Sequence, residues 1–269
     1  MRKMDAFYAG RPFLVMGRER LAETIPGKEW ALMPSAPQVT ASRPLLATAA
    51  AHWARVGLME HASIAAFARF TLHLLALGAP PELVHASQEA LGDKTEHARL
   101  AFGLASAFAG DPVAPGPLAI DGALDGFDLR DFLATLIREG CIGETVAAIE
   151  AREALEHVTD PAVRAVLETI ARDDLRHAAL AWQVLGWVVA SGRADREIVY
   201  GEVLRAVREV RAQAQPAAED EALRAFGVVG EVRRDELRLM AVSSVIGRCA
   251  TAAVRPPKTG RARPVRVGA

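Results

Sequence analysis

The chain has 269 residues, a formal net charge of −1 and a pI near 6.7, a balance that excludes a strongly basic nucleic-acid binder. It is 51% hydrophobic but only 6% aromatic, and its wealth of Ala and Leu favours packed helices over sheet. No stretch approaches the roughly 20 uninterrupted apolar residues of a membrane span, and no apolar run follows the basic start at Arg2 and Lys3, so a soluble, cytoplasmic protein is expected.

Residues 1–43 carry four prolines and no sustained period, which predicts an irregular arm with at most a short strand or helical turn. From Pro44 to Gly78 apolar residues recur at three and four without an internal proline, predicting one long helix with Ser42 as its N-cap. Pro80 and Pro81 open a second helix that runs to about Phe108, and the short loop between the two forces an antiparallel hairpin. The Pro- and Gly-rich stretch from Gly110 to Phe127 is long enough to cross the molecule rather than turn back. A third helix follows from about Leu129 to His157. Asp160-Pro161 then caps a fourth, which ends near Ser191-Gly192. Helical pattern resumes over 196–213 and 217–254, broken around Gly227 to Gly230, and both segments are expected to pack outside the four core helices. The basic stretch 255–269 has the composition of a disordered tail.

Within this frame the halves repeat. Each half has a Glu inside a long apolar helix, then a short loop, then Asp-x-x-x-His-Ala: Glu60 with Asp93 to Ala98, and Glu144 with Asp173 to Ala178. The Glu-to-His separations are 37 and 33 residues. Asp174 and His177, three apart, share one helix face, and a carboxylate and an imidazole on an apolar face need a cation or a full set of hydrogen bonds. At the position matching Asp174 the first half carries Lys94, an ammonium with three donors and no lone pair. The free histidines His52, His73, His85 and His157 read as ordinary core residues. His61 points off the face of Glu60. Cys141 and Cys249, both within predicted helices, indicate neither a disulfide scaffold nor a zinc site.

Over roughly residues 44–192 these motifs resemble the ferritin-like di-metal carboxylate superfamily. Within it they resemble bacterial members of unassigned function with a Glu-His-Ala-Ser-x-Ala-x-Phe-Ala-Arg-Phe segment, here Glu60 to Phe70. The resemblance implies an all-α, ferritin-like four-helix bundle of two hairpins joined by a long crossover, with extra C-terminal helices. It implies metal ligands at Glu60, His97, Glu144, Asp174 and His177, with Asp93 and Asp173 holding the histidine rings. It further implies iron or manganese, one ion or two, or none if Lys94 replaces the charge. Three roles are open to Lys94: turned outward, standing in for a metal, or catalytic as a base or imine-forming amine. Small residues at Gly57, Gly140 and Cys141 leave room beside the site for dioxygen or a small substrate. The function expected first is an oxidoreductase using dioxygen or peroxide on a small organic substrate, in a chain with no nucleic-acid or membrane partner and a homodimer left open. A metal-free binding or scaffold protein comes second, and iron storage third.

Overall fold

Helix α1, Arg43–Ala76, takes Pro44 in its first turn, where a missing N–H costs nothing, and buries a stripe through Trp53, Gly57, Ser63, Phe67, Phe70 and Leu74. In this computed structural model, which describes residues 10–33, 35–212 and 221–253, Ser42 caps the helix with its carbonyl and not with its side chain. Helix α2, Pro81–Ala109, runs back along α1 and stops at Gly110, whose left-handed backbone (φ 80°) few other residues tolerate. The connection that follows is not wholly irregular. Its strand β4, Val113–Pro115, pairs antiparallel with β3, Thr24–Pro26, of the N-terminal arm, and a two-residue hairpin of β1, Leu14–Val15, and β2, Arg18–Glu19, lies earlier in that arm.

The third predicted helix is helical throughout but not uniform. Helix α3, Leu129–Thr135, widens into a π-helical segment, Leu136–Gly143, before α4, Glu144–His157. Asp160 caps α5, Pro161–Ala190, accepting from the amides of Ala162 and Val163. Helix α4 packs along α5, and α5 packs on α2, which joins the two hairpins. The chain is therefore all-α in its core, and no helix among the described residues is long and apolar enough to cross a membrane.

Two large apolar clusters divide the interior, beside a small third one of Phe13, Val15, Ala62 and Ala66. One gathers Phe67, Phe70, Leu74, Ile137, Ile142 and Leu185; the other gathers Trp53, Leu104, Phe108, Val163, Val166 and Ile170. Along α1, α2 and α5, the polar residues Glu60, Lys94, His97, Asp174 and His177 fall between the two sets, so apolar side chains close the charged layer at both ends. The C-terminal elements pack on the core helices, as expected, and bring buried residues to both clusters. Helix α6, Arg196–Ala212, adds Val199, Val203, Ala206 and Val210 to the first cluster, as do Ala241, Val242, Ile246 and Ala250 from α7, Glu231–Ala241, a π-helical turn, and α8, Gly247–Ala253. Phe226 and Leu237 join the second, and the Trp53 indole N–H donates to the Phe226 carbonyl at 2.9 Å. The basic tail and Tyr8 lie outside the described residues.

Candidate functional site

All seven predicted ligand and ring-holding residues, together with Lys94, converge in the middle layer. Lys94 points inward and is 1% exposed, which removes the outward role. Its Nζ lies 2.8 Å from Asp174 Oδ1, 3.1 Å from Glu60 Oε2 and 3.6 Å from Glu144 Oε2. Three donors thus meet three carboxylates from α1, α4 and α5. Burial by itself would push the Lys94 ammonium down, but the charges of Asp174, Glu144 and Glu60 outweigh it and hold its pKa well above the ordinary value. Held in this way, Lys94 presents a charged ammonium to the three carboxylates.

The histidines are held crosswise between the halves. His97 Nε2 meets Asp173 at 3.1 Å, and His177 Nε2 meets Asp93 at 2.9 Å, so each ring is oriented by the carboxylate of the other motif. Their Nδ1 atoms face the centre: His97 Nδ1 stands 3.7 Å from Glu60 and His177 Nδ1 stands 3.4 Å from Asp174. An aspartate on the far nitrogen fixes the tautomer that leaves the near one able to bind a cation. Without such a cation, burial is outweighed by the hydrogen bond to Asp173 and the nearby Glu60 carboxylate, and His97 rises to about 9. His177 rises too, against its burial, with Asp174 beside Nδ1 and Asp93 on Nε2.

The carboxylates divide. Against burial, the Lys94 charge holds Asp174 and Glu60 below the usual range, whereas Glu144, walled in on every side, is pushed up by burial that Lys94 only partly offsets. Asp173 is held at about 2: burial opposes, but His97 and Arg172 bind it, and Arg176 bridges it to Asp93 at 2.7 and 2.9 Å.

Glu144, Asp174 and His177 each offer one ligand atom, and these atoms lie within 4.8 Å of one another. No hydrogen-bond partner among the described residues reaches either oxygen of Glu144 or Nδ1 of His177. Two oxygens and an imidazole suit iron or manganese, with zinc also within the donor set's range. The three residues could hold one ion. Lys94 stands against two of them, Asp174 and Glu144, as well as Glu60, so its charge competes with that ion and opposes a second.

The small residues do not leave open space. A Cβ on Gly57 would meet the Phe102 ring at 3.0 Å, and one on Gly140 would lie 2.6 Å from an Arg11 nitrogen and 2.9 Å from Ala181. Cys141 is a free, fully buried thiol raised well above its ordinary pKa by burial. Of the other histidines, His85 is exposed beside Glu89 at 3.4 Å rather than in the core, while His61 packs edge-on against Trp30.

Two charged residues of this layer had no signal in the sequence reading. Arg11, from the arm, is 3% exposed, with its Nε 3.9 Å from Glu144 Oε1 and its guanidinium over Phe67 and Phe70 at 4.4 and 4.3 Å. Glu139, on the π-helical segment, is raised to about 7 by burial, against the pull of Arg11. A lone arginine in aperiodic sequence gives no spacing to read, and a π turn shifts the helical phase that would have faced Glu139 inward. No family model, curated protein or solved structure matches the chain.

Proposed function

We propose that the chain is a ferritin-like metalloprotein that holds one iron or manganese ion at Glu144, Asp174 and His177 and serves redox chemistry with dioxygen or peroxide, with Lys94 in place of a second ion. The observation that carries this reading is the set of buried, unpartnered ligand atoms on Glu144 and His177 beside Asp174. The arrangement of two helical hairpins with a Glu on each first helix and an Asp-x-x-x-His pair on each second supports the ferritin-like bundle.

An ion bound there supplies one-electron chemistry toward a small oxidant. The chain's residues prepare that seat. Asp93 fixes the His177 ring through Nε2, leaving Nδ1 for the ion. Lys94 ties Asp174 Oδ1 in place and keeps a proton at Nζ beside the seat, where it can donate to an anionic species. The apolar clusters at both ends exclude bulk water, which strengthens every charge interaction between them.

Reconstitution without oxygen, using iron(II) and separately manganese(II), tests this reading. About one ion per chain is expected, lost in Asp174→Asn and His177→Ala, and the bound iron should oxidise on addition of dioxygen or peroxide. Folded wild-type protein that binds neither metal overturns it. A second reading, a metal-free binding or scaffold protein, draws its support from the three carboxylates gathered around the Lys94 ammonium. It predicts that outcome.

A further inference from the structure

The N-terminal arm is built into the charged layer. The amide of Gly10 donates to the Gly143 carbonyl at 2.9 Å, and the Gly10 carbonyl rests so close to Gly143 that a Cβ there would collide with it. The Ser63 hydroxyl donates to the Arg11 carbonyl, and Arg69 donates to the Leu14 carbonyl at 2.7 Å. Phe13, 1% exposed, packs with Ala62 and Ala66. These contacts tie the arm to α1 and to the π-helical segment, and between them they deliver the Arg11 side chain into the slot left by Gly140. There the guanidinium lies over two aromatic faces, with Glu144 Oε1 at 3.9 Å and the charge of Glu139 also acting on it. Nε and one terminal nitrogen have no hydrogen-bond partner among the described residues.

Glu144 is thus shared. Its Oε1 faces Arg11 and its Oε2 faces Lys94, one oxygen to each cation. We propose that Arg11 is a positioning residue that holds Glu144 from the far side and lowers the strength with which the Glu144, Asp174 and His177 site grips a divalent ion. The inference rests on the metal reading above. Its physical core is charge: a buried guanidinium beside a ligand oxygen repels the incoming dication, and low-dielectric walls leave that repulsion little screened. Docking of the arm and grip on the metal are opposed.

The test is a manganese(II) titration of the full chain, wild type against Arg11→Gln and Arg11→Met, the latter keeping an apolar stem between Phe67 and Phe70. Both variants are expected to bind manganese tighter by about tenfold or more, and Arg11→Lys to restore wild-type affinity. Loss of a residue that only braced the fold would leave affinity unchanged or weaken it, and either result beside normal wild-type binding overturns the inference alone. Wild type that binds no manganese overturns the metal reading and this inference together. If both Arg11 variants fail to fold, Gly143→Ala, which displaces the arm through its Gly10 contact, gives the same comparison: tighter binding supports the inference and unchanged or weaker binding overturns it.

Discussion

The two halves of the charged layer are near copies that differ at one decisive place. In the second half, Asp174 follows Asp173 on α5 and faces the centre beside His177. In the first half, Lys94 follows Asp93 on α2 and faces the same centre beside His97. The frames are otherwise matched: each motif's aspartate grips the other motif's histidine, at 2.9 and 3.1 Å. So the difference is one of charge rather than architecture. One half presents an acid beside its histidine, and the other presents a cation that faces that acid and both glutamates. A lysine at that place sets a positive charge among its neighbours, whereas an acid there would add a further negative one.

The largest effect is expected from breaking the lysine half. Lys94→Met leaves Glu60, Glu144 and Asp174 without their shared cation, and removing one member of a buried ion pair costs about 3–5 kcal/mol. Urea unfolding of the metal-free variant at neutral pH should register that loss, and an unchanged midpoint would mean the carboxylates are not held by Lys94. Next comes pH. In the metal-free protein the Glu139 carboxyl keeps its proton to about 7, whereas in the unfolded chain it loses it near 4.5, so stability falls as pH rises through that interval. His97, raised to about 9, contributes stability that is complete below its unfolded value of about 6.5 and is lost as pH rises toward 9. Glu139→Gln should therefore stabilise by about 2–3 kcal/mol at pH 8 and by little at pH 5. A gain that is equal at both pH values contradicts the assignment.

A packing test is smaller. Gly57→Val must push into the Phe102 ring, and overpacking of this kind costs about 1–3 kcal/mol, read as a lowered melting temperature. A neutral outcome would mean the neighbourhood is loose enough to admit a small molecule after all. Smallest of all is the exposed pair His85 and Glu89. Glu89→Ala should change stability by less than about 0.5 kcal/mol, in contrast to the buried pairs of Lys94.

How much of this was legible in the sequence follows from what periodicity can carry. The four core helices were, because apolar residues at three and four mark their faces and proline in the first turn marks the start of α1, α2 and α5; the π-helical segment inside the third was not. Also legible was the convergence of Glu60, His97, Glu144, Asp174 and His177, because a repeated Asp-x-x-x-His-Ala fixes which face each residue takes. The inward turn of Lys94 was not, since its direction depends on three carboxylates brought from other helices. Arg11 was hidden for a related reason: its partner Glu144 lies far along the chain, and the arm between them has no period. Gly57 and Gly140 looked like vacancies because a missing side chain in the sequence does not say which neighbour fills the space; Phe102 and Arg11 do. The C-terminal helices showed amphipathic faces, but not that these faces complete both apolar clusters.

The most direct test is the metal content of wild type beside Lys94→Glu, each expressed with iron and manganese supplied and purified without chelator. About one ion per chain in wild type and about two in the variant is the expected result, since the substitution restores in the first half the acid that Asp174 provides in the second. Equal content in the two proteins, or two ions in wild type, would contradict the claim that Lys94 stands where a second metal would bind.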